Sequence, residues 1–76
     1  MTRSELLTVL TLTINGESRM IGAGSSVASM LQDLDLNPRL VVVERNREIL
    51  RDRDRYAQVM LEDGDVLELV HFVGGG

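Results

Sequence analysis

The residues whose types and spacing speak most clearly of chemistry are the last four, Val73-Gly74-Gly75-Gly76. Consecutive glycines have no Cβ and high backbone entropy, so the tail is expected to be flexible and able to thread a channel too narrow for any side chain. Its reactive group is the carboxylate of Gly76, with a reference pKa of about 3.3–3.7, ionised at neutral pH. A carboxylate is a poor acyl donor and needs a better leaving group before a nucleophile can attack. Attack of the carboxylate on ATP would give an acyl-adenylate, and a persulfide could then displace AMP and leave a thiocarboxylate. The rest of the chain offers no machinery for those steps, so a partner must supply ATP binding and Mg²⁺. An ordinary frayed terminus is the plainer alternative, since glycine is common in unselected tails.

Other reactive side chains are sparse. His71 is the one histidine. Without a cysteine or a second histidine it makes no metal site. A satisfied strand-end histidine fits better than a general base, which needs a partner group in reach. Gly22-Ala23-Gly24-Ser25-Ser26 superficially resembles a phosphate loop, but it lacks the P-loop lysine and the third glycine of a dinucleotide fingerprint. A turn followed by a helix N-cap accounts for it. Asp63 and Asp65 flank a turn glycine without the remaining ligands of a calcium loop. Asp52-Arg53-Asp54-Arg55 alternates in sign and reads as a solvated loop, because exposed ion pairs contribute only about 0–1 kcal/mol. No acid–base pair, nucleophile–base set or metal cluster is visible, so no bound cofactor or metal is expected. The chain reads as a co-substrate of enzymes, not as an enzyme.

The elements that must position the tail fit one domain of 76 residues. A domain this small buries about 60% of the surface of its unfolded chain, which leaves little room for a deep cleft beside a core. Hydrophobic residues make up 43% of it, with one Tyr, one Phe and no Trp, so aliphatic side chains must build the core. The net charge of −4 disfavours nucleic acid, and no basic amphipathic stretch suggests a membrane surface. The longest apolar run, Leu40 to Val43, is far too short to span a bilayer, and the first residues lack a signal-peptide core, so a cytoplasmic location is expected. There is no Cys and no Lys; all eight basic residues are Arg. Codon bias explains that, although a carrier with an activated C-terminus would also benefit from lacking thiols and amines that attack it.

Residues 1–8 read as a leader or the start of the first strand. Leu10, Leu12 and Ile14 alternate with Thr11 and Thr13, which predicts a half-buried strand over 9–14. Asn15-Gly16 is a strong hairpin signal, and Glu17 to Ile21 is the return strand. Ser26 is a suitable N-cap, and Val27, Met30, Leu31 and Leu34 form one apolar helical stripe that Asn37-Pro38 is expected to end. Leu40 to Arg45 reads as a β-branched strand, Asn46-Arg47 as a second tight turn, and Glu48 to Leu50 as a short return strand. A charged loop over 51–55 and a short helical turn within 56–61 follow. Glu62 to Asp65 is a turn, and Val66 to Val73 the last strand. One helix cannot cover both faces of a sheet, so the economical architecture is an α+β domain over 9–73: a mixed sheet of four to five strands with the helix across one face. A central last strand, parallel to the first, fits the β-grasp. Residues 74–76 are the tail.

Several of these segments, in order, resemble one family. Asn15-Gly16-Glu17, the Ser26-Val27 helix start, Leu36-Asn37-Pro38-Arg39, Val41 through Ile49, Asp63 through Val70 and the terminal glycines are similar to the ThiS family of ubiquitin-like sulfur carriers, over roughly residues 9–76. The resemblance implies a sulfur carrier for the thiazole ring of thiamine. It implies that Gly76 is adenylated by a ThiF-type enzyme with ATP and Mg²⁺ and converted to a thiocarboxylate. The sulfur then passes to thiazole synthase, ThiG, having come from a donor such as a cysteine desulfurase. Gly75 is the other half of the family's Gly-Gly, and Gly74 and Gly75 would thread the partner's active site. Residues 1–8 exceed the usual start, and Asn46-Arg47 replaces a more usual Asn-Gly.

Strand alternation adds one expectation. If Leu67 and Leu69 face the helix, Val70 and Phe72 face away, and Val42 does so on a neighbouring strand. That places an exposed apolar patch, Val42, Val70 and Phe72, beside the tail as a docking surface. Three other functions compete. A MoaD-like or tRNA-thiolation carrier would use the same chemistry at Gly76 with another sulfur acceptor. A ubiquitin-like modifier would transfer Gly76 to lysines. A non-covalent binding module would have only an incidental tail.

Overall fold

Two asparagine-led turns set the register of the sheet. The computed structural model describes residues 8–72. β1 (Val9–Ile14) and β2 (Glu17–Gly22) pair antiparallel, with Ile14 opposite Glu17. Asn15 at φ +51° and Gly16 at φ +81° make the two-residue connection. Positive φ at both positions gives a turn whose twist matches that of the strands it joins. β3 (Val41–Arg45) and β4 (Glu48–Leu50) repeat the device through Asn46 at φ +50° and Arg47 at φ +72°. β5 (Val66–His71) lies in the middle, parallel to β1 and antiparallel to β3, so the strands run β2-β1-β5-β3-β4. The arrangement is the β-grasp expected from the order of elements.

The one α-helix among the described residues, α1 (Val27–Asp33), crosses one face of this sheet and buries Val27, Met30 and Leu31. Ser26 caps it: its Oγ accepts from the Ser29 amide at 3.1 Å, and the Ser29 Oγ accepts from the Ser26 amide at 2.8 Å. Two orphan amides of the first turn are satisfied reciprocally. The helix ends earlier than Asn37-Pro38. The Leu36 amide donates to the Leu31 carbonyl at 2.9 Å, and the Asp35 amide to the Gln32 carbonyl at 3.0 Å, with Asp35 at φ +59°. This paired closure usually recruits glycine, and Asp35, one of the few other residues that tolerate the left-handed region, takes its place. Pro38–Leu40 is instead a turn of 3-10 helix, so β3 begins one residue later than expected.

The inward residues of the strands meet the helix. Leu10, Leu12 and Ile14 from β1, Val41 and Val43 from β3 and Leu67 from β5 pack with Val27, Met30, Leu31, Tyr56 and Leu61. Each fully buried aliphatic side chain contributes about 1.5–3 kcal/mol relative to leaving it in water. The charged stretch after β4 is no open loop. Arg53–Gln58 form a second 3-10 segment, started where the Asp52 carboxylate accepts from the Asp54 amide at 3.2 Å. Its Tyr56 is buried, and its hydroxyl donates to the Leu50 carbonyl at 3.1 Å. Burial pushes the Tyr56 hydroxyl pKa up, an effect only partly offset by the charge of Arg53. No helix of the described residues is long and apolar enough to cross a membrane. The leader reading of residues 1–8 falls almost wholly outside the described residues, as do Val73 and the glycines after it.

Candidate functional site

The outer face of the sheet, opposite α1, carries the apolar patch. In the antiparallel ladder of β3 and β5, Val42 stands directly opposite Val70. Two residues on, the Phe72 amide donates to the Leu40 carbonyl at 2.7 Å, which brings Leu40 and Phe72 opposite each other on the same face. Val70 is 58% exposed, Phe72 47% and Leu40 37%. Val42 is half-buried. Leu67 is buried and Leu69 packs against the core, so the expected division of β5 into two faces holds. The patch ends at Phe72, from which the chain continues to Gly74, Gly75 and Gly76. Those three glycines lie outside the described residues.

The remaining candidate residues fall into structural roles. His71 pairs in register with Val41 at the end of the β3–β5 ladder and is exposed. The stretch from Gly22 is a turn: the Ser25 hydroxyl donates to the Gly22 carbonyl at 2.6 Å, and Ser26 caps α1. Asp63 joins the turn before β5 to the first strand, its carboxylate accepting from the Thr11 amide at 2.7 Å. Among the described residues, no group of three or more His, Asp or Glu side chains is placed to hold a metal ion.

In the sequence Asp65 only closes a turn; in the fold it is a hub. It is buried, and its carboxylate accepts from the Arg45 Nε at 2.9 Å, the Asn46 Nδ2 at 3.0 Å and the Glu62 amide at 2.9 Å. An Arg45 Nη2 lies 2.8 Å from the same carboxylate and also donates to the Met60 carbonyl at 2.9 Å. Burial alone would raise the Asp65 pKa, but the hydrogen bonds from Glu62, Asn46 and Arg45 and the charge of Arg45 together hold it below the usual carboxylate range. The hub ties β3, its turn and the loop before β5 together. It thereby sets where β5 begins. Only the opposite charges of Arg45 and Asp65 hinted at it, and twenty residues of sequence separate them.

What the geometry provides is an exposed apolar face on the outer side of the sheet, beside the point where the chain leaves the central strand. Residues 12–76 match the model of the ThiS family. The chain is 47% identical over 51 residues to the sulfur carrier protein ThiS of Bacillus subtilis, covering 67% of this chain and 76% of that protein. It is 49% identical over 65 residues to a thiazole synthase of Paramagnetospirillum magneticum, covering 86% of this chain. The chain spans only about a fifth of the length of that relative, and a similar share of a second thiazole synthase, from Magnetococcus marinus, at 40% identity over 63 residues, 83% of this chain. A crystal structure of the thiamine biosynthesis protein ThiS of Geobacter metallireducens superposes with a TM-score of 0.73 at 31% identity, covering 88% of this chain and all of that one. Sequence and backbone path point the same way, and the chain belongs to the ThiS family.

Proposed function

We propose that this chain is the sulfur carrier of thiazole formation in thiamine biosynthesis, working through a free carboxylate at Gly76. The observation that carries the reading is the family match that runs to Gly76. In this reading residues 9–73 are the β-grasp body, 74–76 the glycine tail and 1–8 a leader or the start of the first strand. The chain is a protein co-substrate in the cytoplasm and binds no cofactor of its own. A ThiF-type enzyme supplies ATP and Mg²⁺. A carboxylate oxygen of Gly76 attacks the α-phosphorus of ATP, and pyrophosphate leaves. A persulfide, formed by a donor such as a cysteine desulfurase, attacks the acyl carbon and expels AMP. A thiol then cleaves the resulting S–S bond, which leaves the thiocarboxylate on Gly76 and a disulfide on the donor side.

The acceptor is thiazole synthase, ThiG. Two relatives that bear that name contain a stretch like this chain as about a fifth of their length, which favours thiazole over molybdopterin or tRNA as the destination of the sulfur. Gly74 and Gly75 pass through the channels of both partners, and Val42, Val70 and Phe72 dock against them. The test is the intact mass of the protein after incubation with ATP, Mg²⁺, a ThiF-type enzyme and a persulfide source. The expected result is a gain equal to replacing one oxygen by sulfur, abolished by deleting Gly76. A gain only with the activating enzyme of molybdopterin synthesis would move the chain to that pathway, and no gain with either would leave a modifier or a non-covalent module.

A further inference from the structure

The strand that leads to the glycines is held differently on its two sides. On the β3 side the ladder runs to its end, with His71 opposite Val41 and the Phe72 amide bonded to Leu40. On the β1 side the backbone pairing stops early, because β1 turns back at Asn15-Gly16. Its last backbone bond to β5 runs from the Asn15 amide to the Leu67 carbonyl, at 2.9 Å. The Asn15 side chain then continues the ladder. Its Oδ1 accepts from the Leu69 amide at 2.7 Å, and its Nδ2 donates to the Leu69 carbonyl at 3.2 Å. A side-chain amide stands where the next peptide group of a parallel strand would stand. Beyond Leu69, no hydrogen bond reaches β5 from the β1 side among the described residues.

We propose that Asn15 is a positioning residue for the carrier reaction: its clamp on Leu69 sets the direction in which the chain leaves β5 towards Gly76. The inference rests on the proposed function. A strand bonded along both edges cannot twist away without breaking bonds, whereas one bonded along a single edge peels more readily. Loss of the clamp moves the last β1-side bond back from Leu69 to Leu67. The activating enzyme must then order that stretch as it binds, and ordering costs entropy. The cost appears in productive binding of the carrier and not in the chemical step.

Asn15→Gly isolates the clamp, since φ +51° suits glycine and the turn stays relaxed. Asn46→Gly is the control at the other end of the strand. Asn46 sits at φ +50°, its Oδ1 accepts from the Val66 amide at 2.9 Å and its Nδ2 donates to Asp65 at 3.0 Å, all at the end of β5 remote from the tail. Three readouts on the full chain decide: thermal melting, amide hydrogen exchange at Val70 and Phe72, and ATP–pyrophosphate exchange by a ThiF-type enzyme against carrier concentration. Both variants are expected to melt lower than the wild type. Asn15→Gly alone should raise the carrier KM about five-fold, the scale of re-ordering one residue, with kcat unchanged. It alone should speed exchange at Val70 and Phe72. Equal KM values in the two variants, or unchanged exchange at those amides, would overturn the inference while leaving the proposed function standing. A wild-type chain that the enzyme does not adenylate would overturn both.

Discussion

Asp65 shows how one buried side chain is committed by its neighbours. Its carboxylate is satisfied from three directions, and its guanidinium partner, Arg45, is itself mostly buried. Removing one partner of such a pair leaves the other uncompensated, which costs about 3–5 kcal/mol when the pair is fully buried. Arg45 keeps some exposure, so Asp65→Asn is expected to cost about 2–3 kcal/mol at pH 7. The sign of the pH dependence follows from the lowered pKa. A carboxyl group held below its unfolded value, about 3.9, contributes stability that is present above that value and lost as pH falls through the folded one. Urea denaturation at pH 7 and at pH 3 should therefore show the gap between wild type and Asp65→Asn narrowing in acid. A gap that stays constant would mean that Asp65 titrates normally.

Arg47 raises a question about an element, the β3–β4 hairpin. The turn demands positive φ at both central residues, and Arg47 adopts φ +72° where glycine would sit without strain. The left-handed region costs a residue with a Cβ about 1 kcal/mol. Arg47→Gly should then stabilise the domain by about 0.5–1 kcal/mol, since glycine's greater unfolded-state entropy offsets part of the relief. For a domain this small the gain corresponds to a rise in Tm of about 2–8 °C, readable by circular dichroism. A lower Tm would show that the arginine side chain holds the turn through contacts that outweigh the strain. The helix teaches a related point. It ends at a left-handed Asp35, and not before the proline, because the Leu36 amide found the Leu31 carbonyl and both leucines join the core. Where such a closure forms without glycine, composition gives little warning of it.

At the scale of the whole molecule the sheet has two unlike faces. One is covered by α1 and supplies the core. The other leaves Leu40, Val70 and Phe72 exposed around the half-buried Val42, next to the point where the chain leaves β5. Val42→Ser together with Phe72→Ser is expected to lower affinity for the activating enzyme by about ten-fold or more, as loss of two apolar contacts at an interface of this kind would. Neither residue belongs to the buried core, so the folded domain should persist, with cooperative melting retained. Titration calorimetry and a thermal melt together separate the cases. Lost binding with an intact melt supports the docking face; lost binding with lost cooperativity reduces it to a folding defect.

Local patterning determined much of this protein. Alternation in Leu10, Leu12 and Ile14, the Asn-led turns, the Ser26 cap and the apolar stripe of α1 specify strands, hairpins and helix, because each depends on residues within a few positions of one another. The ordered segments from Asn15 to Gly76 make the family legible in the sequence itself. What only the tertiary structure decided involves partners far apart in the chain. Asn15 reaches Leu69 across 54 residues, and Asp65 gathers Arg45 and Asn46 across 20 and 19. An asparagine that shapes a turn and one that also stands in for a peptide group in a neighbouring strand are spelled alike. The second role exists only once the sheet has brought β5 beside the turn, since a hydrogen bond depends on distance and angle, which sequence separation does not encode.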